Sequence, residues 1–213
     1  MRPGGLTPLQ VQATRLFFSL PESVGFAVAG GAARIARGLI HRPTRDVDLF
    51  LIDADAPGIA LAVRAFETAI GSRGWSHRRV IDQGDFVRLA ITSDQESLII
   101  DLGRDSPAEE PPDATDLGPT LSSRDLAARK TLALFGRAEA RDFADVFELA
   151  RSYGRGRLLG WATADDSGFD TQVFADMLAS IGRLADEDFP VEPGDAPALR
   201  AYFRDWAAEL TRP

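Results

Sequence analysis

The sequence is poor in the residues that build covalent cross-links and soft-metal sites. It has no cysteine and only two histidines among 213 residues. The missing cysteine excludes disulfides, thiolate metal sites and a cysteine nucleophile, and two histidines disfavour a histidine-rich zinc site. No apolar run approaches the roughly 20 residues of a membrane span, and the N-terminus lacks the basic-then-apolar pattern of a secretion signal. We therefore expect a cytoplasmic protein.

Positive charge is also scarce. Asp and Glu number 32 against 24 Lys and Arg, which gives a net charge of -8. This balance disfavours nonspecific binding of nucleic acid through bulk charge, so a polyanionic substrate would need a local basic patch. Lysine occurs once, at Lys130, and every other fixed cation is arginine. A bias toward arginine explains most of this pattern, and the one retained lysine becomes a candidate functional residue.

Hydrophobic patterning divides the chain into two parts. Interleaved helix and strand patterns in residues 1–105 predict an α/β core with a mixed sheet. The proline- and acid-rich stretch 106–120 predicts a linker, and helical periodicity over 121–213 predicts an α-helical domain. The predicted core strands are 24–29, 47–52, 86–92 and 97–102. The predicted helices are 9–20, 32–39, 57–72, 122–135, 141–153, 171–184 and 197–210.

The strongest chemical signal is a pair of glycines followed by an Asp-x-Asp motif. A short apolar strand runs into Gly30 and Gly31, where the missing side chains would let backbone N–H groups approach a phosphate. Asp46 and Asp48 stand two residues apart on the next strand, so both carboxylates project from one face. This arrangement suits Mg²⁺ ions that bridge a nucleoside triphosphate. The simpler interpretations are an ordinary strand-to-helix turn and acids that pair with neighbouring arginines.

A third acid, Asp101, interrupts an apolar run in the last strand of the α/β core. A buried carboxylate without a partner costs several kcal/mol, so Asp101 is expected to face a metal, a cation or solvent. If its strand lies beside that of Asp46 and Asp48, Asp101 can bind a second metal ion and help to deprotonate an attacking hydroxyl. The alternative is an ion pair with Arg88 on the neighbouring strand.

These motifs resemble those of a known enzyme family. Gly-Gly, a helix, an Asp-x-Asp strand and a later lone Asp resemble the active-site pattern of the DNA polymerase β-like nucleotidyltransferases. The AbiEii/AbiGii nucleotidyltransferase toxins are more similar still. Three stretches carry that likeness, namely residues 29–49, 125–134 and 137–147.

The resemblance implies a nucleotidyltransferase fold, an NTP substrate and two Mg²⁺ ions held by Asp46, Asp48 and Asp101. These three aspartates and Lys130 would be catalytic. It further implies a set of nucleotide-binding residues, which are Gly30, Gly31, Thr44, Lys130 and Asp142. Asp145 competes with Asp142 for the last of these positions. The implied acceptor is a tRNA hydroxyl, and the implied partner is a cognate antitoxin that neutralises a growth-arresting toxin.

Two alternatives stay open at this point. The acceptor could be a small molecule, as in aminoglycoside nucleotidyltransferases, which the acidic composition would suit. A degenerate relative could bind a nucleotide or a partner protein without turnover, although intact Asp46 and Asp48 argue against loss of catalysis. An RNA acceptor would need arginines that contact its backbone, and a solvated surface is the simpler role for them. The candidates are Arg34, Arg37, Arg42, Arg45, Arg151, Arg155 and Arg157.

Overall fold

The computed structural model describes residues 5–40, 43–53, 56, 58–192 and 194–212. The chain divides into two compact units, Met1–Ser123 and Arg124–Pro213. Within the described residues, no helix is both long enough and apolar enough to cross a membrane.

The first unit is a mixed α/β structure. Its helices are α1 (Pro8–Phe18), α2 (Gly30–Ala36) and α3 (Ile59–Ser72), with a 3-10 turn at Pro21–Ser23. Its strands are β1 (Phe26–Ala29), β2 (Asp46–Leu51), β3 (Ser76–Asp82), β4 (Phe86–Thr92), β5 (Ser97–Arg104), β6 (Asp113–Thr115) and β7 (Gly118–Thr120). The described strands form one sheet in the order β3-β4-β5-β2-β1-β7-β6. Strand β2 is parallel to β5 and antiparallel to β1, which confirms the predicted mixed sheet.

Alternation along the central strands separates the two faces of this sheet. In β2 and β4 every second residue is buried, as the period of two requires of a strand with one covered face. The covered face contains Val47, Leu49, Leu89 and Ile100, all of which are fully buried. The intervening residues of β2 carry the two aspartates of the Asp-x-Asp motif, so the hydrophobic pattern itself places both carboxylates on the opposite face.

The stretch 106–120 differs from its prediction as a linker. Strands β6 and β7 form a hairpin there, and Val28 of β1 pairs with Thr120 of β7. Gly118, at the start of β7, has a φ of 121°, and a Cβ at this position would come within 2.6 Å of the Phe18 ring. The hairpin therefore fits closely against α1 and belongs to the first compact unit.

The second unit is helical, as predicted. Its helices are α4 (Ser123–Arg137, which begins at the last residue of the first unit), α5 (Ala140–Tyr153), α6 (Arg155–Asp165), α7 (Thr171–Ala179) and α8 (Ala196–Leu210). Two 3-10 turns, Ser180–Arg183 and Asp186–Asp188, follow α7. Its core is aromatic, because Phe143 and Phe174 pack edge-on against Phe203 and Trp206 of α8, respectively. Such pairs add about 0.5–1.5 kcal/mol beyond the burial of their area.

Candidate active site

The Asp-x-Asp motif lies at the beginning of β2, beside the end of β1. Asp48 pairs with Ala29, the last residue of β1, so the Asp48 side chain lies next to the chain where it turns into α2. Asp46 and Asp48 are both partly exposed, whereas Val47 between them is fully buried. The sequence prediction that both carboxylates share one face is confirmed in the structure.

The absence of a side chain at Gly30 leaves room for the carboxylate of Asp48. Its φ of 57° lies in the left-handed region that glycine adopts without strain. A Cβ built on Gly30 would overlap Oδ2 of Asp48. The glycine is therefore required for the position of Asp48, in addition to any role in phosphate binding, which stays a prediction.

Gly31 and Thr44 make a second close contact beside the first. A Cβ on Gly31 would overlap the Thr44 hydroxyl. That hydroxyl donates a hydrogen bond of 2.9 Å to Oδ1 of Asp46, and the Thr44 carbonyl accepts a bond of 3.0 Å from Nε2 of Gln10. Thr44 therefore orients Asp46, while its predicted contact with the nucleotide stays a prediction. Gln10 was missed by sequence reasoning because its local pattern, Thr7-x-x-Gln10, marks it only as the N3 residue of a helix capping box.

Asp101 lies level with Asp48 but is engaged by a cation. In the parallel pairing of β2 and β5, Asp48 is directly opposite Asp101, and in the antiparallel pairing of β4 and β5, Asp101 is opposite Arg88. Arg88 donates from Nε and Nη2 to the two oxygens of Asp101, each at 2.7 Å. The neighbouring-strand ion pair, which was the alternative for this residue, is thus present.

Asp46 and Asp48 are the two carboxylates of the Asp-x-Asp motif that could hold a divalent cation, and the two Mg²⁺ ions implied by the resemblance stay a prediction. Among the described residues, no group of three or more histidine, aspartate or glutamate side chains is placed to hold a metal ion. Asp46 and Asp48 are hard oxygen donors on one strand. Mg²⁺ is usually bound by one or two carboxylates together with substrate phosphates, so this pair suits it. The role of Asp101 as a third metal ligand stays a prediction.

The second unit contains a cluster of charges around two buried aspartates, Asp142 and Asp145, which we call the buried charge cluster. Lys130 on α4 places Nζ 2.9 Å from Oδ1 of Asp142 and 3.2 Å from Oδ2 of Asp145, both on α5. Arg137 donates to both oxygens of Asp142, at 2.8 and 3.0 Å. The structure therefore brings Lys130 together with both competing aspartates. Their predicted role in nucleotide binding stays a prediction.

Three of the arginines predicted to contact RNA are engaged within the protein. Arg34 is only 3% exposed, and its Nε donates to the Gly30 carbonyl at 3.1 Å, so it cannot contact RNA in this conformation. Arg37 forms a 2.6 Å ion pair with Asp113. Arg45 is exposed, whereas Arg42 lies outside the described residues. On the second unit, Arg155 pairs with acids of α8, while Arg151 and Arg157 are exposed.

A mixed sheet that presents an Asp-x-Asp motif beside a glycine turn defines the nucleotidyltransferase class of fold. The profile of the family described as nucleotidyl transferase AbiEii toxin, type IV toxin–antitoxin system, matches residues 15–212. The chain therefore belongs to this family, and the protein is a nucleotidyltransferase of a toxin family. The prediction made from the three sequence stretches is confirmed.

The fold is shared with several solved structures, including JHP933 and MenT4. JHP933 from Helicobacter pylori has 16% sequence identity and a TM-score of 0.56, over 97% of this chain and 95% of the other. MenT4, a nucleotidyltransferase toxin from Mycobacterium tuberculosis, has 17% identity and a TM-score of 0.62, over 96% of this chain and 83% of the other. No curated protein matches the sequence.

The steric role of Gly30 predicts different outcomes for two glycine substitutions. Both Gly30 and Gly38 have positive φ, but a Cβ at Gly38 meets nothing within 4 Å. Gly38→Ala should lose about 1–2 kcal/mol of stability from backbone strain alone. Gly30→Ala should also displace Asp48 and weaken the binding of Mg²⁺ and NTP by about 10- to 100-fold, as loss of a group that orients a metal ligand does. Urea unfolding and titration calorimetry measure the two effects. Equal nucleotide affinity in both variants would contradict this role for Gly30.

The buried charge cluster predicts an acid-sensitive contribution to stability. Burial raises the pKa of Asp142, but the hydrogen bonds and charges of Arg137 and Lys130 outweigh it and lower the pKa to about 2. The unfolded value is higher, so the stabilisation is complete above about pH 4 and is lost as the pH falls toward 2. The stability advantage of the wild type over Asp142→Asn should therefore shrink by about 2 kcal/mol between pH 6 and pH 2. Urea unfolding across this range tests it, and a constant difference would refute it.

Proposed function

We propose that the protein transfers a nucleoside monophosphate from an NTP to a hydroxyl group of tRNA in a Mg²⁺-dependent reaction. The acceptor oxygen forms a bond to the α-phosphorus, the bond from that phosphorus to the β-phosphate oxygen breaks, pyrophosphate leaves, and the hydroxyl proton passes to solvent. The observation that carries the proposal is the pair Asp46 and Asp48 on one face of β2, held against the Gly30–Gly31 turn.

The two aspartates are the residues that would hold a divalent cation. When bound, this cation would offset the negative charge of the triphosphate and favour the alkoxide form of the acceptor. Asp48 is confined by its contact with Gly30, and Asp46 is oriented by the Thr44 hydroxyl. Rigid donors of this kind lower the reorganisation that the site must undergo when charge develops in the transition state.

Lys130 is the cation that we assign to the phosphates of the nucleotide. Its support is the resemblance of residues 125–134 to the family motif and its status as the single lysine of the chain. In the second unit, Asp142 and Asp145 hold its ammonium group by two ion pairs. These carboxylates would keep Lys130 charged and restrict its rotamers, so that its position is set before substrate binds.

The biological role we propose is that of a toxin acting in the cytoplasm and neutralised by a cognate antitoxin protein. Membership of the AbiEii family supports the toxin role and the existence of an antitoxin partner. A tRNA acceptor is supported by the family resemblance. Modification of a tRNA hydroxyl would stop growth by withdrawing that tRNA from translation.

A small-molecule acceptor is the second candidate, and particular observations favour it. The net charge is -8, Arg34 is buried and Arg37 is paired with Asp113, so part of the basic surface predicted for RNA is absent. An aminoglycoside is the matching acceptor class, because its cationic groups would suit an acidic protein.

The direct test incubates the protein with Mg²⁺, each α-³²P-labelled NTP and total tRNA. Label should enter tRNA with the wild type and fall by about 100-fold or more in Asp46→Asn and Asp48→Asn, because charge stabilisation at the reacting phosphate is lost. Asp94→Asn, an exposed aspartate in the β4–β5 turn, serves as the matched control and should keep full activity. Label in an aminoglycoside but not in tRNA would favour the second candidate. Absence of any labelled product from both acceptors would contradict the proposed reaction.

A further inference from the structure

The ion pair between Arg88 and Asp101 leaves part of the guanidinium unused. Arginine carries five N–H donors, and two of them bond to Asp101, one from Nε and one from Nη2. The Arg88 side chain is 37% exposed, whereas that of Asp101 is 7% exposed. Because Nε and Nη2 face the carboxylate, the N–H groups of Nη1 take no part in this contact.

Arg88 shares a sheet face with the Asp-x-Asp motif, which we call the carboxylate face. Asp48, Asp101 and Arg88 are consecutive register partners on β2, β5 and β4. Adjacent strands are about 4.8 Å apart, so the backbones of Asp48 and Arg88 are separated by about 10 Å. The hydrogen bond with Asp101 raises the pKa of Arg88, and the charges of Asp101, Asp46 and Asp48 raise it further. Arg88 is therefore a fixed positive charge beside the pair proposed to hold the cation.

The Arg88 side chain is held in place from two directions. Asp101 on β5 accepts two hydrogen bonds from the Arg88 guanidinium. The guanidinium carbon of Arg88 also lies 5.9 Å from the centre of the ring of Phe86, two residues earlier on β4. A guanidinium held in this way loses little conformational entropy when it binds a planar or tetrahedral anion. The Arg88 guanidinium is therefore already positioned to bind a phosphate group.

Arg79 of the same sheet forms ion pairs that differ from that of Arg88 in how many guanidinium nitrogens are occupied. Arg79 on β3 is engaged at all three of its nitrogens, because Nε and Nη2 bond to Glu67 and Nη1 bonds to Asp82. It faces α3, on the side of the sheet opposite the carboxylate face. Within the described part of the chain, the carboxylate that pairs with Arg88 is that of Asp101, and the Arg88 side chain shares a sheet face with the Asp-x-Asp motif.

We propose that Arg88 binds a phosphate group of a substrate, and that Asp101 is a positioning residue that acts through Arg88 rather than as a metal ligand. The proposal rests on the proposed nucleotidyl transfer. Both oxygens of Asp101 are already bonded to Arg88, and Mg²⁺ needs no third carboxylate when substrate phosphates complete its coordination. The phosphate comes either from the NTP or from the backbone of the acceptor, and the experiment separates these sources.

The test measures binding rather than turnover, in five variants. These are Arg88→Ala, Arg88→Lys, Asp101→Asn, the double variant Arg88→Ala/Asp101→Asn, and Arg79→Ala as the matched control. Three affinities are measured for each variant, namely for Mn²⁺ alone, for each NTP with Mg²⁺, and for tRNA at several salt concentrations. The double variant removes both charges, so it tests the proposal even if Arg88→Ala fails to fold with Asp101 left unpaired.

We expect Arg88→Ala to lower the affinity for one of the two phosphate ligands by about 10-fold or more, as loss of a charged hydrogen bond does. The affected ligand, NTP or tRNA, identifies the source of the phosphate. Arg88→Lys should recover part of the loss, Arg79→Ala should lose nothing, and the double variant should bind no worse than Arg88→Ala. Asp101→Asn should keep the Mn²⁺ affinity of the wild type.

Either of two results would overturn the inference. One is a loss of Mn²⁺ affinity in Asp101→Asn, which would make Asp101 a metal ligand. The other is wild-type affinity for both phosphate ligands in Arg88→Ala and in the double variant. The variant Asp46→Asn distinguishes a failure of the inference about Arg88 from a failure of the proposed function. If this variant weakens binding of NTP with Mg²⁺ while the Arg88 variants weaken binding of neither NTP nor tRNA, only the inference fails, and if Asp46→Asn also leaves NTP binding unchanged, the proposed function fails as well.

Discussion

The site depends on the absence of side chains at Gly30 and Gly31, which leaves space beside their α-carbons. Asp48 and Thr44 fill that space, and a methyl group at either glycine would displace them. Thr44 in turn bonds to Asp46, so the two glycines set the positions of both carboxylates of the motif. The register of β1 and β2 places Asp48 opposite Ala29, and the left-handed conformation of Gly30 follows directly after it.

Charge balance on the carboxylate face is the second constraint. Asp46, Asp48 and Asp101 project from adjacent strands, and like charges this close repel one another unless a cation intervenes. Arg88 neutralises Asp101 within the protein. We propose that the charges of Asp46 and Asp48 are balanced instead by a cation that binds together with the substrate.

Sequence patterns predicted the parts of the fold whose hydrophobic period is clear. Strands β2, β4 and β5 followed from their apolar segments, and the family followed from motifs that those elements carry. Strand β3 was not predicted, because it is an edge strand with nearly every residue exposed and therefore has no apolar alternation. The β6–β7 hairpin was not predicted, because Pro119 and the prolines and acids that precede the hairpin are typical of a linker. For Asp101, the spacing could not decide between a metal and Arg88, because that choice depends on side-chain geometry across strands.

The proposal that Asp46 and Asp48 together hold the cation to which the triphosphate binds can be tested by crystallography. The structure to determine is that of the protein with Mg²⁺ and a non-hydrolysable NTP. We expect one oxygen of each aspartate about 2.1 Å from the metal, with phosphate oxygens among the other ligands and the triphosphate beside the Gly30–Gly31 turn. A metal and triphosphate bound away from β2, or ligated by Asp101 in place of Asp48, would contradict it.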